Sequence, residues 1–104
     1  MIRFDENEVG KISVEQFLKC RALCIERLKN EPSFDLFLDS TNSSLPYEEL
    51  SELNSLLLSK SRVLVVIVAT DQMEDLYSEW NLVPTLQEAE DFISFERMQR
   101  DLGF

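Results

Sequence analysis

The sequence predicts a small α/β domain in which a mainly parallel sheet is covered by crossover helices. The first observation behind this prediction is an unbroken apolar run over residues 63–69, in which five of the seven residues are β-branched. Branching at Cβ favours extended backbone, and the lack of apolar–polar alternation indicates a central strand covered on both faces. The second observation is that helical and strand-like segments alternate along the chain, which is typical of parallel strands joined by right-handed crossovers.

Length and charge limit the number of domains and the kinds of partner. The 104 residues are enough for one domain with a single core, which we expect to span residues 1–104. Twenty acidic and ten basic residues give a net charge of -10. Because such a surface repels phosphate backbones and anionic membranes, we expect no nucleic acid and no membrane partner, and instead a protein partner with a basic surface.

The expected compartment is the cytoplasm. No segment approaches the roughly 20 apolar residues of a membrane-spanning helix, and the first residues lack the apolar stretch of a signal peptide. Cys20 and Cys24 are the two cysteines of the chain and do not form a disulfide framework. Their spacing places them on one side of a helix, either as a redox or metal-binding pair or as small apolar residues in the core. We predict the core role, because free cysteine is often buried and a metal site with two ligands is weak.

The amino-terminal third is predicted to hold a short edge strand and one long helix. Residues 2–4 are compatible with the strand and residues 5–11 with a polar loop. Ser13 and Gln16 have the spacing of a capping box, and the helix that they begin is expected to end near Asn30. Its predicted apolar face consists of Val14, Phe17, Leu18, Cys24, Ile25 and Leu28.

The middle of the chain is predicted to alternate strand and helix around the apolar run. Residues 34–39 are predicted to form a strand, and a polar loop over residues 40–44 follows it. Pro46 suits the first turn of the next helix, where its missing N–H is no loss. The predicted buried stripe of that helix consists of Tyr47, Leu50, Leu53 and Leu57.

The carboxyl-terminal third is predicted to contain two helices separated by a short strand over residues 82–83. Thr70 is expected to cap the first of these helices, and Thr85 with Glu88 forms a capping box for the second. The inward residues of the first helix are predicted to be Met73, Leu76, Tyr77 and Trp80. Those of the last helix are predicted to be Ala89, Phe92 and Ile93.

The residue types present argue against most kinds of enzyme. The chain has no histidine, the commonest general base and metal ligand, so it is not a self-sufficient zinc hydrolase or ribonuclease Z. With two glycines it has no glycine-rich loop for a phosphate group. We therefore expect no metal and no organic cofactor, and we favour a role without catalytic residues.

One enzymatic alternative stays open. Asp39, Asp71 and Glu74 lie near the carboxyl ends of neighbouring predicted strands, where ligands bind in open α/β sheets. Together they would form an acidic site for the ion of a small magnesium-dependent enzyme. The competing interpretation, which we favour, is that acidic residues in the first turn of a helix complement its dipole.

From Ser33 onward, the order of segments matches a known pattern. A strand that ends in Asp39 is followed by a serine-containing loop, a leucine-rich helix, the apolar strand and an acidic helix. A short strand then runs into Val-Pro-Thr-Leu-Gln-Glu-Ala at residues 83–89, in which a polar cap precedes Leu-x-Glu-Ala. Over residues 12–95 this order resembles the STAS domain family, the fold of anti-sigma-factor antagonists and sulfate-transporter tails. The amino-terminal strands of that family are expected to be mostly missing here.

The resemblance implies a bacterial, regulatory and non-catalytic domain that binds a protein partner through the loop and helix after Asp39. The antagonists of this family carry a phosphorylated serine in an Asp-Ser-Ser-Gly-like loop, whereas residues 42–46 here read Asn-Ser-Ser-Leu-Pro. Ser43, Ser44 and Tyr47 are accordingly the expected partner-binding residues, and the two serines are candidate phosphosites. Because acidic residues already occupy the first turn of the next helix, we favour an N-cap role for Ser44 over phosphorylation.

A second apolar stripe follows the inward stripe of the last helix. Phe95, Met98 and Leu102 recur at steps of three and four residues. They either cap the end of the same core or remain partly exposed. We predict exposure and self-association as a homodimer through the carboxyl-terminal helix, because so short a domain has little core left to cover there. A structural dimerising subunit that accompanies a larger enzyme is a related alternative.

Overall fold

The structure is a computed structural model that describes residues 2–4, 9–30, 34–43, 45–69 and 81–103. These residues form five strands and four helices. The strands are β1 (Arg3–Phe4), β2 (Gly10–Ser13), β3 (Leu36–Asp39), β4 (Leu64–Ile67) and β5 (Asn81–Val83). The helices are α1 (Val14–Lys19), α2 (Arg21–Asn30), α3 (Tyr47–Ser59) and α4 (Leu86–Asp101). This mixed α/β architecture confirms the predicted fold class. The helix predicted from Thr70 lies outside the described residues.

The five strands form one sheet in which spatial order follows chain order. β1 pairs antiparallel with β2, whereas β2, β3, β4 and β5 pair with one another in parallel. The sheet is therefore mixed but mainly parallel. Its register aligns the carboxyl ends of the parallel strands at Ser13, Asp39, Ile67 and Val83.

The apolar run forms the centre of the sheet, as the sequence predicts. All four residues of β4 are buried, and none is more than 4% exposed. Successive side chains point to opposite faces, so Leu64 and Val66 join the larger core cluster while Val65 and Ile67 join a smaller one. Both faces are covered, which explains why the run shows no alternation.

The larger cluster is formed with α1, α2 and α3, and the smaller cluster with α4. The first three helices contribute buried side chains to the larger cluster, among them Phe17, Leu28 and Leu53. On the opposite face, Ala89 and Ile93 of α4 pack with Val65, Ile67 and Phe37 of the central strands.

The long helix predicted after Ser13 is divided at Cys20. Ser13 caps its start as expected, because its Oγ accepts a hydrogen bond of 3.2 Å from the Gln16 N–H. Cys20 then leaves the helical conformation with φ -130° and ψ 33°. α1 buries Val14 and Phe17, and Leu18 lies about 100° around the helix from Phe17, so this predicted core residue is 46% exposed.

The short strand predicted within residues 2–4 is present as β1, and a further strand that was not predicted lies beside it. β2 begins at Gly10, within the segment that the sequence predicts as a loop, and β1 pairs with it. Gly10 permits a close approach at this position: a Cβ there would lie 2.8 Å from Ile2 Cγ2 and 2.9 Å from Phe34 Cε2. Phe34 in turn makes an edge-to-face contact with Phe4, at 4.9 Å between ring centroids.

α3 begins one residue later than predicted and ends in a tight hydrogen-bonded turn. Pro46 occupies the N-cap position and supplies no side-chain hydrogen bond. Ser44, for which the sequence predicts an N-cap role, lies outside the described residues. At the other end the Arg62 N–H donates to Leu57 O at 2.9 Å and the Ser61 N–H donates to Leu58 O at 3.0 Å. This Schellman arrangement places Ser61 in the left-handed region, at φ 61°.

Candidate functional site

The carboxyl edge of the sheet carries the loops to which the sequence assigns function. β3 ends at Asp39, beside Ile67 of β4 and Ser13 of β2. In open α/β sheets this edge is where loops leave the strands and ligands bind. The segment that leaves β3 connects to the start of α3 within seven residues.

Asp39 stabilises its own turn. Its Oδ1 accepts hydrogen bonds from the Thr41 N–H at 3.1 Å and from Thr41 Oγ1 at 2.7 Å. This side chain–backbone bond is the Asx-turn geometry that aspartate favours after a strand. The structure thus gives Asp39 a structural partner.

The rest of the predicted acidic site is not brought together by the described residues. Asp71 and Glu74 lie outside the described residues. Within the described ranges, no group of three or more carboxylate, thiol or imidazole side chains is arranged to hold a metal ion. Glu15, in the first turn of α1 at the same edge, has a buried Oε1 without a hydrogen-bond partner, and the amino end of the helix favours its charge.

The serine loop is anchored at its first residue. Ser40 is buried, its N–H donates to Ile67 O at 2.7 Å, and its Oγ donates to Ser43 O at 2.8 Å. Ser43 itself is half-buried, and Ser44 lies outside the described residues. The loop is therefore attached directly to the central strand of the sheet.

Tyr47 is the exposed side chain beside this loop. It is the first residue of α3 and is 44% exposed, whereas the sequence predicts it on the buried stripe with Leu50. The same turn carries Glu48, which is exposed, and Glu49, which pairs with Arg21 of α2. An aromatic ring with acidic neighbours is thus presented to solvent at this end of α3.

The second apolar stripe of α4 faces away from the sheet. Phe95 and Met98 are each 59% exposed, and Leu102 is 65% exposed. At about 100° per residue they lie roughly half a turn from Ile93, which packs on the sheet. We call these three residues the outer ridge of α4.

Two open grooves adjoin the outer ridge at its two ends. One, of about 410 Å³, is lined by residues that include Arg97, Met98 and Leu102. The other, of about 460 Å³, lies between α4 and the segment around β5, with Pro84, Phe92 and Phe95 in its walls. The exposed side chains of the ridge therefore have open space beside them.

A buried ion cluster lies at the opposite, amino edge of the sheet, and it was not predicted from the sequence. Asp35, which is 0% exposed, precedes β3 and accepts two hydrogen bonds from Arg100, at 2.9 and 3.2 Å. Its Oδ1 also accepts from the Val63 N–H at 3.0 Å. The guanidinium groups of Arg97 and Arg62 lie 3.7 and 3.9 Å from Asp35 Oδ2.

The electrostatic consequence is that α4 is fastened to the sheet by charge as well as by packing. The hydrogen bonds to Asp35 raise the pKa of Arg100 above its ordinary value, although partial burial acts in the opposite direction. Without these partners the buried carboxylate would be strongly unfavourable. A sequence signal does exist: Asp35 interrupts an apolar segment, and Arg97 and Arg100 continue the inward stripe of α4 at steps of four and three residues.

The two cysteines are in contact at the junction of α1 and α2. Their Sγ atoms are 3.0 Å apart, and Cys20 Sγ also donates to Gln16 O at 3.0 Å. Cys24 is buried in the larger core cluster, as predicted, whereas Cys20 is half-buried. Burial raises the pKa of the Cys24 thiol to about 12, with a further contribution from its hydrogen bond to Cys20.

Comparison with known protein families, curated proteins and solved structures finds no match for this chain. Among the described helices, none is long and apolar enough to cross a membrane.

Proposed function

We propose that this chain is a non-catalytic regulatory domain of the STAS type that binds a protein partner through the loop and helix after Asp39. The observation that carries the proposal is the position of Tyr47. An aromatic side chain that is 44% exposed stands at the start of α3, directly after a loop that is anchored to the central strand. Aromatic side chains of this kind are enriched among the residues that dominate binding energy at protein interfaces.

The architecture supports the same proposal. From β2 to α3 and β4, parallel strands alternate with helices in the order that the family resemblance predicts. The serine loop and Tyr47 then lie at the carboxyl edge, the edge at which open α/β sheets bind their ligands. The net charge of -10, together with Glu48 beside Tyr47, favours a partner with a basic surface.

The test compares two exposed apolar side chains of one helix. Tyr47→Ala is expected to reduce the amount of partner captured from the source cells at least tenfold, because an interface anchor contributes about 2 kcal/mol or more. Leu58→Ala is the matched control, since Leu58 is 56% exposed on the same helix but near its other end. Circular dichroism establishes that both variants are folded. Equal capture by the two variants contradicts the proposed docking site.

The serine loop is tested with paired substitutions. Ser43→Asp and Ser44→Asp imitate a phosphate charge, and Ser43→Ala and Ser44→Ala remove the hydroxyl alone. If the loop acts through its shape, all four variants retain the partner to within about threefold. Loss of binding in the aspartate variants alone would show that the loop is a phosphorylation switch.

A second function is supported by the outer ridge of α4. We infer that Phe95, Met98 and Leu102 mediate self-association, because three exposed apolar side chains on one helix face are unusual for a monomer. The grooves beside the ridge provide space into which the ridge of a second copy would fit.

Light scattering up to several hundred micromolar tests this second function. The unmodified chain is expected to approach the mass of a dimer, and Met98→Glu is expected to return it to a monomer. Leu23→Glu is the control, since Leu23 is 60% exposed on α2, away from the ridge. A monomer at all concentrations, or an equal effect of the two substitutions, rejects self-association through α4.

A further inference from the structure

Cys20 and Cys24 form a thiol pair that neither the proposed interface nor the outer ridge uses. Their Sγ atoms are 3.0 Å apart. Cys20 lies at the junction between α1 and α2, with non-helical φ and ψ of -130° and 33°. Its backbone N–H is held by Gln16 O and Phe17 O, at 3.1 and 3.2 Å. The pair therefore spans a joint in the backbone and does not lie within one regular helix.

We propose that Cys20 and Cys24 are a modification site that forms a reversible intramolecular disulfide in exchange with a low-molecular-weight disulfide of the glutathione class. The product crosslinks the joint between α1 and α2. This inference is independent of the proposed partner-binding function.

The geometry of the pair suits this bond. The Cys24 N–H donates to Cys20 O at 2.9 Å, the hydrogen bond of one helical turn, so the two Cα atoms lie about 6 Å apart, within the range of disulfides. The Sγ atoms need to approach by about 1 Å to reach the S–S bond length of roughly 2.05 Å. Cys20 can supply this movement because it lies between two helices, so its side chain can move without breaking the interior of either.

The surroundings of the two thiols set the order of events. Cys20 is half-buried and can be reached from solvent, whereas Cys24 is 2% exposed in the core. The raised pKa of Cys24, about 12, also leaves little of its reactive thiolate near neutral pH. The small-molecule disulfide thus reacts at Cys20, and Cys24 acts as the resolving thiol.

The exchange is balanced in two steps. The Cys20 thiolate attacks one sulfur of the small-molecule disulfide, forms a mixed disulfide and releases one thiolate, which takes up a proton. Cys24 Sγ then attacks Cys20 Sγ, the S–S bond of the mixed disulfide breaks, and the proton of the Cys24 thiol passes to the departing sulfur, which leaves as the second small thiol. Two protein thiols are oxidised, and one small disulfide is reduced to two thiols.

The experiment treats the folded full chain with oxidised glutathione, followed by alkylation under denaturing conditions and intact-mass measurement. Because the chain has two cysteines in total, every thiol is accounted for. The expected product has lost both thiols and two hydrogen atoms, carries no adduct and is restored by dithiothreitol. Two alkylated thiols, a persistent glutathione adduct or a disulfide-linked dimer as the main product would each overturn the proposal.

Single substitutions test the order of the two steps. Cys24→Ser is expected to accumulate one glutathione adduct at Cys20, because no resolving thiol remains. Cys20→Ser is expected to leave Cys24 unmodified, because it is buried. Cys24→Ala and Cys20→Ala serve as second variants should a serine disturb the fold. Modification of Cys24 at the same rate as Cys20 rejects the assignment of roles.

Discussion

The two edges of the sheet are built in different ways. At the amino edge, residues distant in sequence are joined in the interior: Asp35 meets Arg100, 65 residues away, and Gly10 lies against Phe34. At the carboxyl edge, the side chains of Asp39, Ser40 and Thr85 form hydrogen bonds that span two or three residues, and Ser40 is also joined to β4 through its backbone N–H. The amino edge therefore holds the fold together, whereas the carboxyl edge can change its loops at little cost to stability.

This difference makes the carboxyl edge better suited than the amino edge to binding a partner through a loop. A loop whose side-chain hydrogen bonds are local, and which is joined to β4 at Ser40, can present Tyr47 to a partner without disturbing the core. The amino edge has no such freedom, because α4, β3 and β4 share one buried carboxylate there. Substitutions at the amino edge are therefore expected to lower the free energy of unfolding more than matched substitutions at the carboxyl edge.

The largest effect is expected from Asp35→Ala. Removal of the carboxylate leaves Arg100 and the Val63 N–H without their acceptor and weakens the attachment of α4. Removing one partner of a buried ion pair lowers the free energy of unfolding by about 3–5 kcal/mol. Urea denaturation measures this loss. The matched substitution at the other edge, Asp39→Ala, removes the local bonds to Thr41 and is expected to cost about 1 kcal/mol.

Similar losses for the two aspartate variants would remove the distinction between the edges. A large loss for Asp39→Ala alone would reverse it and show that the serine loop is essential to folding.

Gly10→Ala probes packing at the amino edge without changing charge. The new methyl group would lie 2.8 Å from Ile2 and 2.9 Å from Phe34, so both side chains have to move. Overpacking of this kind costs about 1–3 kcal/mol. Gly103→Ala is the control: nothing lies within 4 Å of its Cβ position, and its φ of 79° alone makes alanine unfavourable. Thermal unfolding that ranks Gly103→Ala as the more damaging change contradicts the close approach at Gly10.

The sequence predicts the elements that depend on local patterns. β4 follows from an apolar run, and the start of α4 follows from Thr85, whose Oγ1 accepts from the Glu88 N–H at 3.1 Å. The ion cluster at Asp35 was not predicted, because its members become neighbours only when the sheet and α4 are in place. The division of the first helix at Cys20 was also not predicted, since neither glycine nor proline marks it.

The exposure of one part of the candidate site was predicted correctly from the sequence, and that of another part was not. The outer ridge of α4 follows from helical spacing, and its three side chains are exposed as expected. Tyr47 was expected on a buried stripe because it lies three residues before Leu50. Leu50, Leu53 and Leu57 are buried as expected, whereas Tyr47, the first residue of α3, is 44% exposed. Helical spacing gives the phase of the stripe, but it does not show how far the core extends toward the end of the helix.

Thr85→Ala measures a local contact at the carboxyl edge. The substitution removes the N-cap hydrogen bond of α4 and is expected to cost about 1 kcal/mol. Thr85→Ser retains the hydroxyl and is expected to remain within about 0.5 kcal/mol of the unmodified chain. Chemical denaturation of both variants measures the difference. A loss above about 3 kcal/mol for Thr85→Ala would show that this edge is as tightly coupled as the amino edge.

The smallest expected effect is a gain, and it comes from Ser61→Gly in the turn that enters β4 at the amino edge. Ser61 occupies the C′ position of the Schellman turn with φ 61°, a conformation that is unfavourable for residues with a Cβ. Glycine removes this strain but has more freedom in the unfolded chain, so the net gain is expected to be about 0.5–1 kcal/mol. Ser59→Gly, two residues earlier in the last turn of α3, is expected to destabilise by a similar amount because it lies in helical backbone. The opposite signs of these two serine substitutions, measured by thermal unfolding, distinguish relief of strain from a general effect of glycine. A loss of stability in both would mean that the turn before β4 does not hold Ser61 in the left-handed region.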